Sequence, residues 1–220
     1  GWFVLAWDLA QPGYDLRLRS RRCLVLGWLR SHLVRGWSVS CATGSFSHAR
    51  KNDLRGPPAL RSDACPAGMP DLSAEDRATT EHENVIVRFV VAMALISMPL
   101  GIHFTIVGAA SSRLWTMPGL AQLANRKHIQ RYTCSLCCFD GGRRRSTVVI
   151  SHCVALDDLD DYRCIGRLCA TTHRTHYSAS DVHTPPSQRA YPTRFCELLA
   201  DALVNSAARL KAHQFQLMLR

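Results

Sequence analysis

Apolar positions follow two periods along the chain: every second residue in some segments, and every third or fourth residue in the segments between them. Alternation and short apolar runs predict strands, and apolar residues three or four positions apart predict helices. The predicted strands are 3–7, 34–40, 102–107, 130–139 and 147–151; the predicted helices are 20–35, 73–98, a short one within 112–125 and one after Pro192. Strands that alternate with helices favour an α/β fold with a parallel, Rossmann-like sheet.

The longest apolar run, residues 89–110, is long enough to span a bilayer. Pro99 and Gly101 interrupt it, and helical spacing before them gives way to alternation after them. This change of period favours a helix, a tight turn and a buried strand over one membrane helix. We therefore expect no membrane partner.

Length and charge set further limits. With 220 residues and 47% apolar content, the chain can bury one sizeable core, so one domain over 1–220 is expected, with a long irregular loop at 41–72. The formal charge of +10 suits a polyanion, nucleic acid first and an anionic membrane surface second. Ten cysteines without a secretory signal favour reduced thiols in the cytoplasm or nucleus.

Several short motifs appear together in one order. They are Thr43–Arg50 (TGSFSHAR), Gly56–Arg61 (GPPALR), Phe104–Ile106 (FTI), Ser111–Trp115 (SSRLW), Cys138–Thr147 (CFDGGRRRST), and Ala190–Pro192 (AYP) with Cys196. The series resembles a methyltransferase-like domain of retroelement-type polyproteins from eukaryotic microbes, itself similar to DNA cytosine-5 methyltransferases. The resemblance implies a Rossmann-like, three-layer methyltransferase-type fold: an incomplete parallel or mixed sheet with flanking helices.

The chemistry that the resemblance implies needs two groups. A Pro-Cys pair three residues before Phe-Ser supplies a thiolate that attacks a flipped-out cytosine, and a Glu-Asn-Pro motif supplies an acid that holds the base. Here Ala42 and Thr43 stand at the Pro-Cys positions, and Val107 begins the segment at the acidic motif. A threonine hydroxyl cannot replace a thiolate without a strong base. We therefore expect a catalytically inactive domain, with Cys41 as the one substitute nucleophile.

The cofactor side is incomplete in the same way. The glycine-rich turn and the first strand that approach S-adenosylmethionine in the relatives would lie before Gly1, and the chain begins without methionine, as a fragment would. Asp8, after the first predicted strand, matches the acidic residue that binds the ribose, or is an ordinary strand-end aspartate. We expect no cofactor unless Cys41 makes the domain active, in which case S-adenosylmethionine is required.

One cluster has the residue types of a zinc site. Cys164, Cys169, His173 and His176 offer four ligands within thirteen residues, and Cys134 and Cys137 offer another pair. Their spacing matches no common zinc finger. The alternatives are a zinc site and ordinary free thiols with surface imidazoles.

Arginines supply the candidate contacts to nucleic acid. Arg50 lies in the first motif, and Arg143, Arg144 and Arg145 follow a predicted Gly-Gly turn, where they can meet a phosphate backbone without reading its sequence. A solvated run of charge explains them equally well.

Four hypotheses follow. The leading one is an inactive methyltransferase-like remnant from a mobile-element polyprotein that binds nucleic acid non-specifically. The others are an active methyltransferase using Cys41, completed by other domains of the polyprotein; a small zinc-dependent nucleic-acid-binding module; and a decayed reading frame without function.

Overall fold

The computed structural model describes residues 15–41, 44–48, 50, 57–139, 145–165, 168–169, 171–172 and 191–218. Its helices are α1 (Arg19–Arg30), α2 (Ala74–Ser97), α3 (Pro118–Ala124) and α4 (Thr193–Met218). Its strands are β1 (Gly36–Ser40), β2 (His103–Ala109), β3 (Gln130–Ser135) and β4 (Ser146–Ser151). Three 3-10 helices cover Arg113–Thr116, Leu136–Phe139 and Val154–Asp161. The predicted strand at 3–7 lies outside the described residues.

The four strands form one mixed sheet in the order β1-β2-β4-β3. Only β1 and β2 run parallel, and β4 is antiparallel to both β2 and β3. The α/β class and a mixed sheet with flanking helices are thus confirmed. The alternation of strands and helices in the sequence favours a fully parallel sheet, but β3 and β4 pair antiparallel. The connection between them, residues 136–145, is too short for a parallel crossover.

Each face of the sheet carries its own apolar cluster. Phe104 and Ile106 of β2 join α1, α2 and α3 in the first cluster, whereas Val107 points to the second. The second cluster contains Phe195 and Leu199 of α4, together with the 3-10 helices 136–139 and 154–161. The sheet therefore lies between two layers of helices.

The segment predicted as helix, turn and strand has that form. The Ser73 hydroxyl accepts a hydrogen bond from the Asp76 amide at 3.1 Å, which caps the start of α2. The helix ends at Ser97, Gly101 turns the chain with φ 65°, and β2 begins at His103. Within the described part of the chain, no helix has the length and apolarity needed to cross a membrane.

Candidate functional site

The loops that follow β1 and β2 meet at one edge of the sheet. Because the two strands are parallel and adjacent, with Ser40 beside Val107, their carboxyl ends lie together. The Arg113 amide donates to the Phe46 carbonyl at 3.0 Å and joins the two loops directly. Open α/β sheets build ligand sites at this edge. The structure thus brings the two segments of the predicted site together.

Cys41, the substitute nucleophile, lies at the end of β1 but not at the surface. It is 3% exposed and packs in the first apolar cluster. Burial raises the pKa of its thiol to about 12, so the thiol is neutral at physiological pH. Thr43, where the predicted resemblance would place the catalytic cysteine, lies outside the described residues.

Val107, where the predicted resemblance would place an acid, is a core residue. It is 2% exposed, and it pairs with Ser40 on one side and Val149 on the other. The next residue, Gly108, is equally closed, since a Cβ placed there would come within 2.9 Å of the Trp115 ring. Apolar packing therefore occupies the place where the predicted resemblance would require a base-holding carboxylate.

Arg61, the last residue of the Gly-Pro-Pro-Ala-Leu-Arg motif, fixes the loop after β1. Its side chain is fully buried, and its guanidinium carbon lies 3.7 Å from the centroid of the Phe46 ring. It donates hydrogen bonds to Ser45 Oγ (2.7 Å), the Pro66 carbonyl (2.6 Å), Asn84 Oδ1 (2.7 Å) and the Thr80 carbonyl (3.0 Å). The motif thus ties two loops to α2. Sequence reasoning found the motif but missed this role.

The Glu83 carboxylate completes this arrangement. It lies 3.7 Å from the Arg61 guanidinium and accepts hydrogen bonds from both the amide and the hydroxyl of Ser45. Burial lowers the pKa of Arg61 to about 10, against the opposing effect of Glu83. Arg61 therefore stays charged at neutral pH and is paired inside the protein, not offered to a ligand.

A shallow groove of about 370 Å³ opens at the same edge of the sheet. Its lining includes His48 from the loop after β1, and Asp63, Trp115 and Arg131. The Arg131 guanidinium lies 5.8 Å from the centroid of the Trp115 ring, within the range of a cation–π contact. The groove thus combines one aromatic residue with one cationic side chain, Arg131, and one carboxylate, Asp63.

Two of the four arginines predicted to bind nucleic acid are described, and both contact the fold. Arg50 donates to the Gly44 carbonyl at 3.1 Å and to the Pro58 carbonyl at 3.3 Å. The Arg145 guanidinium lies 5.1 Å from the centroid of the Tyr191 ring. Arg143 and Arg144 lie outside the described residues, so those two contacts stay a prediction.

A basic surface that sequence reasoning missed lies between α3 and β3. Arg126, Lys127, His128 and Arg131 are all exposed, and we call this set the basic edge. No aspartate or glutamate occurs from residue 84 to residue 139. The ion pairs between described residues involve other cations, namely Arg17, Arg61, Arg88, Arg113 and Arg163. The absence of acidic residues from this stretch is the signal that could have found it.

A group of buried cysteines lies in the second apolar cluster, on the face of the sheet that α4 covers. The sulfur atoms of Cys137, Cys138 and Cys169 lie within 4.8 Å of one another, and all three residues are buried. Cys164 is also buried beside this group: its amide donates to Ser135 Oγ at 3.1 Å, and its thiol donates to the Leu168 carbonyl at 3.7 Å. We call these four residues the thiol cluster. Cys137, Cys138 and Cys169 could hold a metal ion. The cluster joins Cys164 and Cys169 of the predicted zinc site to Cys137 of the predicted Cys134–Cys137 pair and to Cys138, which the prediction did not include. His173 and His176 lie outside the described residues.

The thiols of the cluster differ in acidity. Burial raises the pKa of Cys137 and of Cys138. Burial acts in the same direction on Cys169, but hydrogen bonds from Thr172, Thr171 and Cys137 outweigh it and lower the pKa to about 6. Cys169 is therefore largely a thiolate at neutral pH, which is the form that binds metals.

Comparison with protein-family models, curated proteins and solved structures gave no match to this chain. The fold and the site define an α/β protein with a mixed four-stranded sheet, and its family membership remains a proposal.

Proposed function

We propose that this chain is a catalytically inactive methyltransferase-like domain, derived from a mobile-element polyprotein, which binds nucleic acid without reading its sequence. Its fold would be the Rossmann-like methyltransferase type in incomplete form. The observation that carries the proposal is the packing of the substitute nucleophile, Cys41, and of the position where the acid is expected, Val107. Cys41 is enclosed by apolar side chains, and Val107 lies in the core where a carboxylate would be needed.

Inactivity follows from the chemistry of these positions. Attack on a cytosine ring needs a thiolate within reach of the base, and a buried neutral thiol supplies neither the charge nor the access. Without an acid at Val107, the ring nitrogen also lacks its partner. Activity through Cys41, with S-adenosylmethionine and further domains of a polyprotein, would require the loop after β1 to rearrange and release this side chain. Ser45 accepts a hydrogen bond from Arg61 and donates one to Glu83, and both bonds oppose such a rearrangement.

Nucleic-acid binding is supported by the basic edge. Three full charges, Arg126, Lys127 and Arg131, lie within six residues and are exposed. Such groups bind phosphates and release condensed counterions, a mode that needs no base contacts. The adjoining groove adds the Arg131 charge to this edge, but the Trp115 ring beneath it is only 9% exposed and offers a base no open face for stacking.

A triple alanine variant at Arg126, Lys127 and Arg131 tests this function. Removing three phosphate contacts should weaken binding to a single-stranded oligonucleotide about tenfold or more, and should lower the slope of log Kd against log salt by about 2 to 3. Fluorescence anisotropy at several salt concentrations measures both quantities.

The matched control removes three exposed arginines that already form ion pairs: Arg17 with Asp15, Arg88 with Glu81, and Arg163 with Asp160. We expect this variant to bind nearly as well as the parent chain. Equal losses in both triple variants would show a general charge effect and contradict an interface at the basic edge. Absence of binding by the parent chain would contradict the function itself.

A second candidate function is a small zinc-dependent nucleic-acid-binding module. The specific observation in its favour is the thiol cluster, whose three nearest sulfur atoms already lie at distances that a metal ion could bridge. A zinc content near zero in protein purified without chelator would exclude it.

A further inference from the structure

We propose that Zn²⁺ is bound by the thiolates of Cys137, Cys138, Cys169 and Cys164, an inference that rests on the zinc-dependent candidate and replaces its predicted histidine ligands. Each ligand thiol loses its proton to solvent when the metal binds, and four thiolates complete a tetrahedral shell. The site would be structural, because no coordination position is left for a substrate or water.

The distances suit this ion. Zinc with Zn–S bonds of about 2.3 Å holds its sulfur atoms roughly 3.8 Å apart. The sulfurs of Cys137, Cys138 and Cys169 lie within 4.8 Å of one another, so a contraction of about 1 Å or less is needed. A change of side-chain rotamer supplies such a shift without moving the backbone.

The backbone holds the ligands from two sides. Cys137 and Cys138 belong to the 3-10 helix 136–139 that follows β3, and Cys169 comes from the segment after the third 3-10 helix. The Cys169 sulfur lies 3.4 Å from the Cys137 carbonyl oxygen, which places the two elements in direct contact. The Cys164 amide donates to Ser135 Oγ at 3.1 Å, which fixes the fourth ligand beside the end of β3.

The segment around the later cysteines needs such an anchor. Its described residues from 162 to 172 form no helix and only a single-residue bridge. After Tyr162, whose ring packs against Phe139, the described aliphatic side chains face outward, with Ile165 92% and Leu168 57% exposed. Cys164 and Cys169 are the buried members of this described stretch. Since apolar burial contributes little here, a metal that joins these cysteines to Cys137 and Cys138 would supply the stability that holds the segment in place.

Two other buried cysteines, Cys153 and Cys41, differ from the proposed ligands in their surroundings. Cys153, in the same apolar cluster, and Cys41, in the first cluster, are not part of any group of three metal-ligating side chains among the described residues. They behave as small apolar residues. Cys153 therefore serves as a matched buried control for the ligands.

Metal analysis of the full chain, purified under reducing conditions without chelator, tests the ligand set. We expect about one zinc per chain, a loss of at least tenfold in Cys169→Ser and in the double variant Cys137→Ser/Cys138→Ser, and full retention in Cys153→Ser. Circular dichroism reports whether each variant folds. Replacement of zinc by Co²⁺ in the parent chain counts the thiolates independently of any variant, through the intensity of sulfur-to-cobalt charge-transfer absorption.

The outcomes separate the ligand set from the zinc-dependent function. Zinc that survives in Cys137→Ser/Cys138→Ser but is lost in His173→Ala/His176→Ala overturns the four-thiolate site and leaves a zinc-dependent module standing. A cobalt spectrum with the intensity of only two thiolates does the same. No zinc, and no cobalt uptake after reduction, overturns both.

Discussion

Replacement of Arg61 by methionine should lower the free energy of unfolding by about 3 to 5 kcal/mol, because it leaves buried acceptors without their donor. Arg61 is fully buried and donates to Ser45, Pro66, Thr80 and Asn84. Methionine fills much of the same volume, so the loss reflects unpaired polar groups and not a cavity. The Glu83 carboxylate, 15% exposed, also loses its cationic partner.

Urea unfolding, monitored by tryptophan fluorescence, measures this change. The matched control is Arg88→Met, since Arg88 lies on α2, is 59% exposed and pairs with Glu81 at the surface. Surface ion pairs contribute about 1 kcal/mol or less, so we expect a small effect there. Similar losses in the two variants, or less than about 1 kcal/mol for Arg61→Met, would show that Arg61 does not organise the loop after β1.

Replacement of Val107 by glutamate should also destabilise the protein by about 3 to 5 kcal/mol, because it buries an acid without a partner. The substitution introduces the residue type that the proposed resemblance requires at this position. Val107 lies between Ser40 and Val149 in the sheet and is 2% exposed. Under the proposed ancestry the site lacks more than its acid, since core packing fills the place where the acid would bind a base.

The same urea titration applies, with Gln130→Glu as control because Gln130 is an exposed strand residue. We expect Gln130→Glu to change the free energy of unfolding by less than about 0.5 kcal/mol. If Val107→Glu were as stable as the parent chain, the edge of the sheet would be open enough to hold a catalytic carboxylate. The inference of a closed site would then be wrong.

Local signals in the sequence predicted much of the fold. Ser73 marks the start of α2 because its hydroxyl accepts from the third helical amide, a contact between neighbours in the chain. Pro99 and Gly101 mark the turn before β2, and this signal too is local in the chain. The meeting of the loops after β1 and β2 was also predictable, because parallel neighbours end at one edge.

The end of α1 was wrong in the sequence prediction. The helix ends at Arg30 and not at residue 35, and Leu33, expected on the apolar face, is 71% exposed. His32 adopts φ 55°, and the Leu33 amide bonds back to the Trp28 carbonyl at 3.0 Å. Glycine is the usual residue in this left-handed cap, so a histidine there does not indicate the end of the helix in the sequence.

The features of the site that could not be predicted from the sequence depend on contacts between residues far apart in the chain. The approach of Cys169 to the Cys137–Cys138 pair depends on how the segment after β4 packs against the 3-10 helix 136–139. The burial of Cys41 likewise depends on α2 and the first apolar cluster, so its position beside the motif suggested a reactivity that its environment removes. The spacing of residues along the sequence predicts neither the approach of Cys169 to the Cys137–Cys138 pair nor the burial of Cys41.

Covalent trapping on DNA that contains 5-fluorocytosine, with S-adenosylmethionine present, tests the central claim of inactivity most directly. With a pKa of about 12, Cys41 is a thiolate in on the order of one molecule in 10⁵ at pH 7. We therefore predict no denaturant-resistant adduct at equimolar protein and DNA, while an active cytosine-5 methyltransferase traps the same DNA. An adduct that forms with the parent chain and disappears in Cys41→Ala would contradict this account.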